Sequence, residues 1–214
     1  MRRLVLPMLL LTALLFGCLP VSAEPVSAPT VSAQSAVLMD ARYGLVLSEK
    51  DADRRLPMAS TTKIMTALTA LANAAPETVI RTAPEAVGVE GSSVYLSAGE
   101  KLTLEQLLYA LLLQSANDAA AAIAVGVGGS IAEFADLMNA QAQRLGLTDT
   151  HFANPHGLDA DGHYTTAREL AVITREALSH PLIRKIDGTR RATSPQGENP
   201  DARLLVNHNR LLRT

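Results

Sequence analysis

Two short apolar runs, Ala36-Val-Leu-Met39 and Leu45-Val-Leu47, flank the polar stretch Asp40-Ala-Arg-Tyr-Gly44, a spacing that predicts a β-hairpin. Ser60–Ala74 follows without Gly or Pro and is rich in Ala, Leu and Met, which predicts a helix opening at Ser60. From Pro76 to Ser97, Gly, Pro and Ser punctuate the chain and leave two short β-like pieces around Val79 and Val94. Thr103-Leu-Glu-Gln106 is a capping-box sequence, and Leu104, Leu107, Leu108, Leu111 and Leu112 recur behind it at helical spacing. Such a Leu stripe reads as core rather than as a membrane element. Ser115-Ala-Asn-Asp118 interrupts the pattern, and an Ala-rich helix then runs to the glycines at 126–129. Ser130-Ile-Ala-Glu133 opens a further helix that ends at Gly146 in the C′ position. The stretch from His151 to His163 reads as a loop, and Thr166-Ala-Arg-Glu169 caps a helix that stops before Pro181. Thr189–Thr193 and Arg203–Val206, around a turn between Pro195 and Pro200, predict a second hairpin. Strands, then helices, then strands, with no internal repeat, predict an α+β domain in which a helical layer is inserted into and packed on an antiparallel sheet.

The chain begins differently. Met1-Arg2-Arg3 is basic, Leu4 to Phe16 is almost wholly apolar, and Val21-Ser22-Ala23 fits a small-x-small cleavage site. Residues 1–23 therefore read as a signal peptide, since the apolar run is shorter than the roughly 20 residues that span a bilayer. An exported, extracytoplasmic protein associated with the cell envelope is expected. Residues 24–34 form a Pro/Ser/Ala tether, and the domain proper runs from Ser35 to Thr214. Leu15-Phe16-Gly17-Cys18 offers a second reading, a lipoprotein box that leaves a lipidated Cys18 as the N-terminus and membrane anchor, although Phe16 stands where a small residue is usual.

Composition narrows the function classes. Of 214 residues, 48% are hydrophobic, enough to bury a core, and 19 Lys+Arg oppose 21 Asp+Glu. Removal of residues 1–23 leaves 17 basic against 21 acidic residues. With 3% aromatics and no Trp, the chain lacks the basic stripe and stacking rings of a nucleic-acid binder. One Cys, lying in the leader, excludes a disulfide framework or a cysteine zinc site.

The candidate chemistry lies in Ser60-Thr61-Thr62-Lys63. Residues three apart on a helix share a face, with Cβ atoms about 5–6 Å apart, so the Lys63 amine can reach the Ser60 hydroxyl. A serine becomes nucleophilic when a base takes its proton, and a lysine serves as that base once burial or a nearby cation lowers its pKa. The start of the helix also offers free N–H groups to a developing oxyanion. At the helix break, Ser115 could relay a proton and Asn117 could hold a peptide carbonyl and one side of the Lys63 amine. Each pair is a weak signal by itself. On spacing alone, Ser60, Ser115 and Asn117 equally serve as helix caps and Lys63 as a solvated helix residue.

Longer stretches carry more weight. Leu56-Pro-Met-Ala-Ser-Thr-Thr-Lys-Ile-Met-Thr-Ala-Leu68 closely resembles the nucleophile segment of the serine D-alanyl-D-alanine carboxypeptidases, the low-molecular-mass penicillin-binding proteins. Gly91-Ser-Ser-Val-Tyr-Leu96 and Leu102–Ala120 are similar to that family's second block, and Phe152–Asp159 with His163–Ala171 to its third. Asn207-His-Asn-Arg-Leu-Leu212 resembles the segment before its last motif. The resemblance implies the penicillin-binding-protein/β-lactamase-like fold. It makes Ser60 the acylated nucleophile, Lys63 its base, Ser115 the proton relay and Asn117 a substrate anchor. The implied substrate is a peptidoglycan stem peptide ending in D-Ala-D-Ala, with β-lactams as covalent inhibitors and no cofactor.

One part of the family pattern is missing. No Lys-Thr-Gly or Lys-Ser-Gly occurs, and the last lysine is Lys185. In the family that strand brings a cation beside the lysine and serine, a site for the terminal carboxylate and an oxyanion donor worth about 10²–10³ in rate. The expectation is an incomplete catalytic domain, a fragment of a longer product. Its sheet should show an open edge and an uncovered apolar face, and residues 24–214 alone should be poorly soluble and weakly active.

Three rival readings remain. Within the superfamily, a serine β-lactamase is the alternative, but no segment resembles the one that carries the extra glutamate of class A enzymes. A remnant that binds cell wall without turnover is the non-enzymatic one. His151, His156, Asp159, Asp161 and His163 suggest a zinc peptidase, yet His-Glu-x-x-His is absent and such residues commonly build turns.

Overall fold

The computed structural model describes residues 30–196 and 199–213. The signal-peptide segment 1–23, Cys18 and the 24–29 part of the tether lie outside the described residues.

The first hairpin pairs β1 (Ala36–Met39) with β2 (Val46–Lys50) in antiparallel register, Ala36 opposite Lys50. Its turn is set by Asp40, whose carboxylate accepts the Tyr43 N–H at 2.6 Å. A single 3₁₀ turn, Ala59–Thr61, then leads into α1 (Thr62–Asn73), so the helix expected to open at Ser60 begins two residues later. β3 (Val79–Arg81) pairs antiparallel with β4 (Lys101–Thr103), which runs directly into α2 (Leu104–Leu113). Thr103 and Gln106 cap α2 reciprocally, each side chain bonding the other's backbone N–H, as the sequence implied.

α3 (Asn117–Gly128) and α4 (Ile131–Arg144) follow. Ser130 caps α4 by accepting the Glu133 N–H. The helix ends in a Schellman arrangement: Gly146 adopts φ +74°, and the Gly146 and Leu147 N–H groups bond the Gln143 and Ala142 carbonyls. α5 (Ala167–Ser179) is capped by Thr166, α6 (Pro181–Asp187) by His180, and β5 (Arg191–Gln196) pairs antiparallel with β6 (Asn199–Val206).

The core sits where α2 and α3 meet. Leu104, Leu107, Leu108 and Leu111 are fully buried, and α3 is buried along Asn117–Ala124 because its small alanines let α1, α2 and α4 pack close around it. Each fully buried Leu contributes about 1.5–3 kcal/mol of transfer free energy. The described strands form three separate two-stranded antiparallel sheets flanking this helical layer, an α+β arrangement.

One expected strand is corrected: no strand forms around Val94. Its backbone groups are used elsewhere. The Asp118 carboxylate accepts the N–H groups of Val94 and Leu96, and the Arg203 guanidinium donates to the Val94 and Tyr95 carbonyls. Arg203 is also paired with buried Glu100 at 2.5 Å, so β6, through Arg203, and α3, through Asp118, both hold this segment.

The β1–β2 hairpin presents Leu38, Leu45 and Leu47, each more than half exposed. Between β1 and α5 runs a groove of about 490 Å³ lined mainly by Val37, Met39, Leu170, Ala171 and Leu178.

Candidate active site

Ser60 lies in the 3₁₀ turn and is exposed, whereas Lys63, in the first turn of α1, is only 2% exposed. The spacing of three brings Lys63 Nζ to 3.2 Å from Ser60 Oγ. The second partner of Nζ is the carbonyl oxygen of His156, at 2.7 Å. Both partners are neutral oxygens, so no countercharge offsets the cost of burying the ammonium there. Burial pushes the Lys63 pKa down to about 8. At pH 7 roughly one molecule in ten then carries a neutral amine, against less than about one in a thousand for a free lysine.

The backbone around this pair is strained. Ala59, just before the nucleophile position, has φ +45°, and Ser115 has φ +55°. Gly157 passes against the Ala59 carbonyl at φ +90°, where a Cβ would overlap that oxygen, so only glycine fits.

The segment 151–165 wraps this face of α1. Leu56 and Thr165 exchange backbone hydrogen bonds, as do His151 and Tyr164. Asn154 Oδ1 accepts the N–H groups of His156 and Gly157 and tightens the turn between them. Consecutive carbonyls of that turn then face α1: Pro155 O accepts from Thr66 Oγ1 at 2.6 Å, and His156 O from Lys63.

Ser115 and Asn117 stand at the break between α2 and α3, and α3 packs against α1. Neither bonds Lys63, whose amine is shared between Ser60 and His156. The Asn117 carboxamide donates to Glu90 O at 2.5 Å, and its backbone N–H to Ser92 O at 2.7 Å. Asn117 thus fastens the 90–92 segment beside the site. Asp118 does the same one step further on, accepting from Ser93 Oγ at 2.6 Å.

The histidines raised as metal ligands have other uses. His151 Nδ1 bonds Gly162 O and its ring stacks on Tyr164. His156 Nδ1 accepts the Leu158 N–H, and its pKa is pushed down to about 4, first by burial and then by the charges of Lys63 and His163. His163 bonds Thr62 and Ala153. Among the described residues, no three His, Cys, Asp or Glu side chains are arranged to hold a metal.

Residues 22–214 match the D-alanyl-D-alanine carboxypeptidase family. The chain belongs to this family. It is 38% identical over 186 residues to the D-alanyl-D-alanine carboxypeptidase DacF of Bacillus subtilis, covering 84% of this chain and 47% of the relative. To DacC of Escherichia coli it is 39% identical over 157 residues, covering 68% and 39%. The chain thus spans less than half the length of these two relatives. A D-alanyl-D-alanine carboxypeptidase from Mycobacterium tuberculosis superposes with TM-score 0.84 at 34% identity, over 89% of this chain and 72% of that one. A mutant of the Streptomyces K15 DD-transpeptidase superposes at 0.80 and 32%, over 86% and 77%.

Reasoning from sequence missed the part played by the 154–157 turn. Asn-Pro-His-Gly signals a tight turn, but nothing local says which helix its carbonyls will meet.

Proposed function

We propose that this protein is a serine-type D-Ala-D-Ala carboxypeptidase that removes the terminal D-Ala from peptidoglycan stem peptides in the cell envelope, after export directed by residues 1–23. The observation that carries the reading is a buried lysine, its pKa lowered to about 8, held 3.2 Å from an exposed serine at a helix start. With Lys63 neutral, one N–H stays on His156 O and the nitrogen lone pair accepts the Ser60 hydroxyl hydrogen.

Ser60 Oγ attacks the penultimate D-Ala carbonyl carbon as its proton passes to Lys63 Nζ. The N-terminal N–H groups of α1 face the oxyanion. The C–N bond then breaks, the terminal D-Ala leaves as an amine with a proton relayed through Ser115, and water hydrolyses the ester on Ser60. Asn117, fastened to Glu90 O, anchors the substrate backbone. A β-lactam carbonyl is attacked by the same hydroxyl, opening the ring and leaving a penicilloyl ester.

Intact-mass analysis after incubation with benzylpenicillin tests this. One adduct mapping to Ser60, absent in Ser60→Ala, is expected. A folded protein that binds peptidoglycan and forms no adduct is a wall-binding remnant. Hydrolysis of penicillin faster than release of D-Ala makes it a β-lactamase.

A further inference from the structure

His163 is 6% exposed, and its two ring nitrogens meet different elements. Nδ1 lies 3.1 Å from the backbone N–H of Ala153, which can only donate, so Nδ1 holds a lone pair. Nε2 lies 2.8 Å from Thr62 Oγ1 and therefore carries the hydrogen, which the hydroxyl oxygen accepts. The Phe152 ring meets the imidazole edge-on with centroids 6.0 Å apart. Thr62, fully buried, immediately precedes Lys63, and Ala153 immediately precedes the turn whose carbonyls hold Thr66 and Lys63. One flat, rigid ring thus bridges the helix that carries the amine and the loop that fixes it.

We propose that His163, kept as the neutral Nε2–H tautomer, is a positioning residue for Lys63: it sets the spacing between Thr62 and the 153–157 turn and so keeps the amine buried and aimed at Ser60. The inference rests on the reading of Lys63 as the base of Ser60. Protonation of His163 places a hydrogen on Nδ1 against the Ala153 N–H, breaks that bond and loosens the turn. The charge of His151 opposes protonation of the ring and that of Asp159 favours it, while His156 on the neighbouring turn feels the charges of both His163 and Lys63. Asp161 shares the adjoining depression with Asp159 and Pro57. Burial is the largest influence and holds His163 below the ordinary histidine range. The strut is therefore intact at neutral pH and fails only in acid.

NMR of the unliganded chain tests this. The sequence has four lysines, Lys50, Lys63, Lys101 and Lys185, so ¹³Cε-lysine labelling gives four signals. We expect ¹⁵N shifts showing Nδ1 unprotonated and Nε2 protonated in His163, and a Lys63 midpoint near 8. The Lys63 signal should show a second, acidic step that coincides with His163 titration. His163→Gln should erase that step and raise the Lys63 midpoint by at least about one unit towards the ordinary 10.4. Thr62→Val, which keeps the volume and removes the acceptor, should raise it too, and serves where the histidine variant does not fold. A protonated Nδ1, no acidic step in the wild-type Lys63 signal, or an unmoved Lys63 midpoint in a folded variant overturns the proposal. None of these readings needs acylation. A missing penicilloyl adduct defeats the proposed chemistry and leaves the strut standing, whereas an unmoved Lys63 midpoint beside a normal adduct defeats only the strut.

Discussion

The α2–α3 pair and the 151–165 segment flank the same site and are held by different physics. α2 and α3 bury leucine and alanine side chains on one another, and the polar contacts at the start of α3 are those of Asn117 and Asp118 to the 90–96 segment. The 151–165 segment buries little apolar surface beyond Phe152. It is fixed to α1 and the chain before it by an isolated bridge at Leu56, the Thr62–His163 bond and the carbonyls of Pro155 and His156. Burial without direction suits a wall. Directional bonds suit the placement of an amine to within a few tenths of an ångström, and they are bought with a strained Ala59 and a buried lysine. The difference teaches that stability and chemistry are separable here, and four substitutions can break or sharpen it.

The largest expected effect is Lys63→Met. Acylation of Ser60 by benzylpenicillin should fall by about 10²–10⁴, the usual worth of a general base. The fold should hold, since a buried, unpaired cation is replaced by an apolar chain of similar length. Urea unfolding against pH adds a sign. The native pKa of Lys63 is depressed, so between about 8 and the unfolded value of about 10.4 the unfolded chain binds more protons and wild-type stability rises with pH. Lys63→Met should lose that rise. A variant that acylates normally breaks the comparison at its centre.

Leu111→Ala is the mirror experiment. It should cost about 2–5 kcal/mol in denaturant unfolding while the acylation rate per folded molecule stays unchanged. Next is Glu100→Gln, which removes the countercharge from a buried Arg203. A loss of about 3–5 kcal/mol is the general expectation for such pairs, reduced here because Arg203 keeps its bonds to the Val94 and Tyr95 carbonyls. The smallest is Thr103→Ala, which breaks the capping box of α2 for about 1 kcal/mol by thermal unfolding with no kinetic change.

What could be read from the sequence follows the same division. Helices with periodic apolar faces and caps, such as Leu104–Leu113 behind Thr103 or Ile131–Arg144 between Ser130 and Gly146, declare themselves because their causes are local. The Ser60–Lys63 pair was legible because helical geometry fixes an i, i+3 contact. The segment at Val94 was not. Its propensity is β-like, yet Asp118 and Arg203, 24 and 109 residues away, take its backbone groups. The His156 carbonyl was hidden for a different reason: a main-chain oxygen leaves no residue-type signature. His163 read as a metal ligand or a turn residue, and only the positions of Ala153 and Thr62 show that it bridges α1 and the 153–157 turn.

The central claim is that Lys63, made partly neutral by burial, removes the Ser60 proton. The most direct test is the rate of Ser60 acylation by benzylpenicillin from pH 6 to 10, followed by quenched intact mass with the adduct mapped by peptide. The account predicts a rate that climbs about tenfold per pH unit below about 8 and levels above it, with no adduct in Ser60→Ala. A rate flat through pH 8, or an adduct that survives Ser60→Ala, contradicts it.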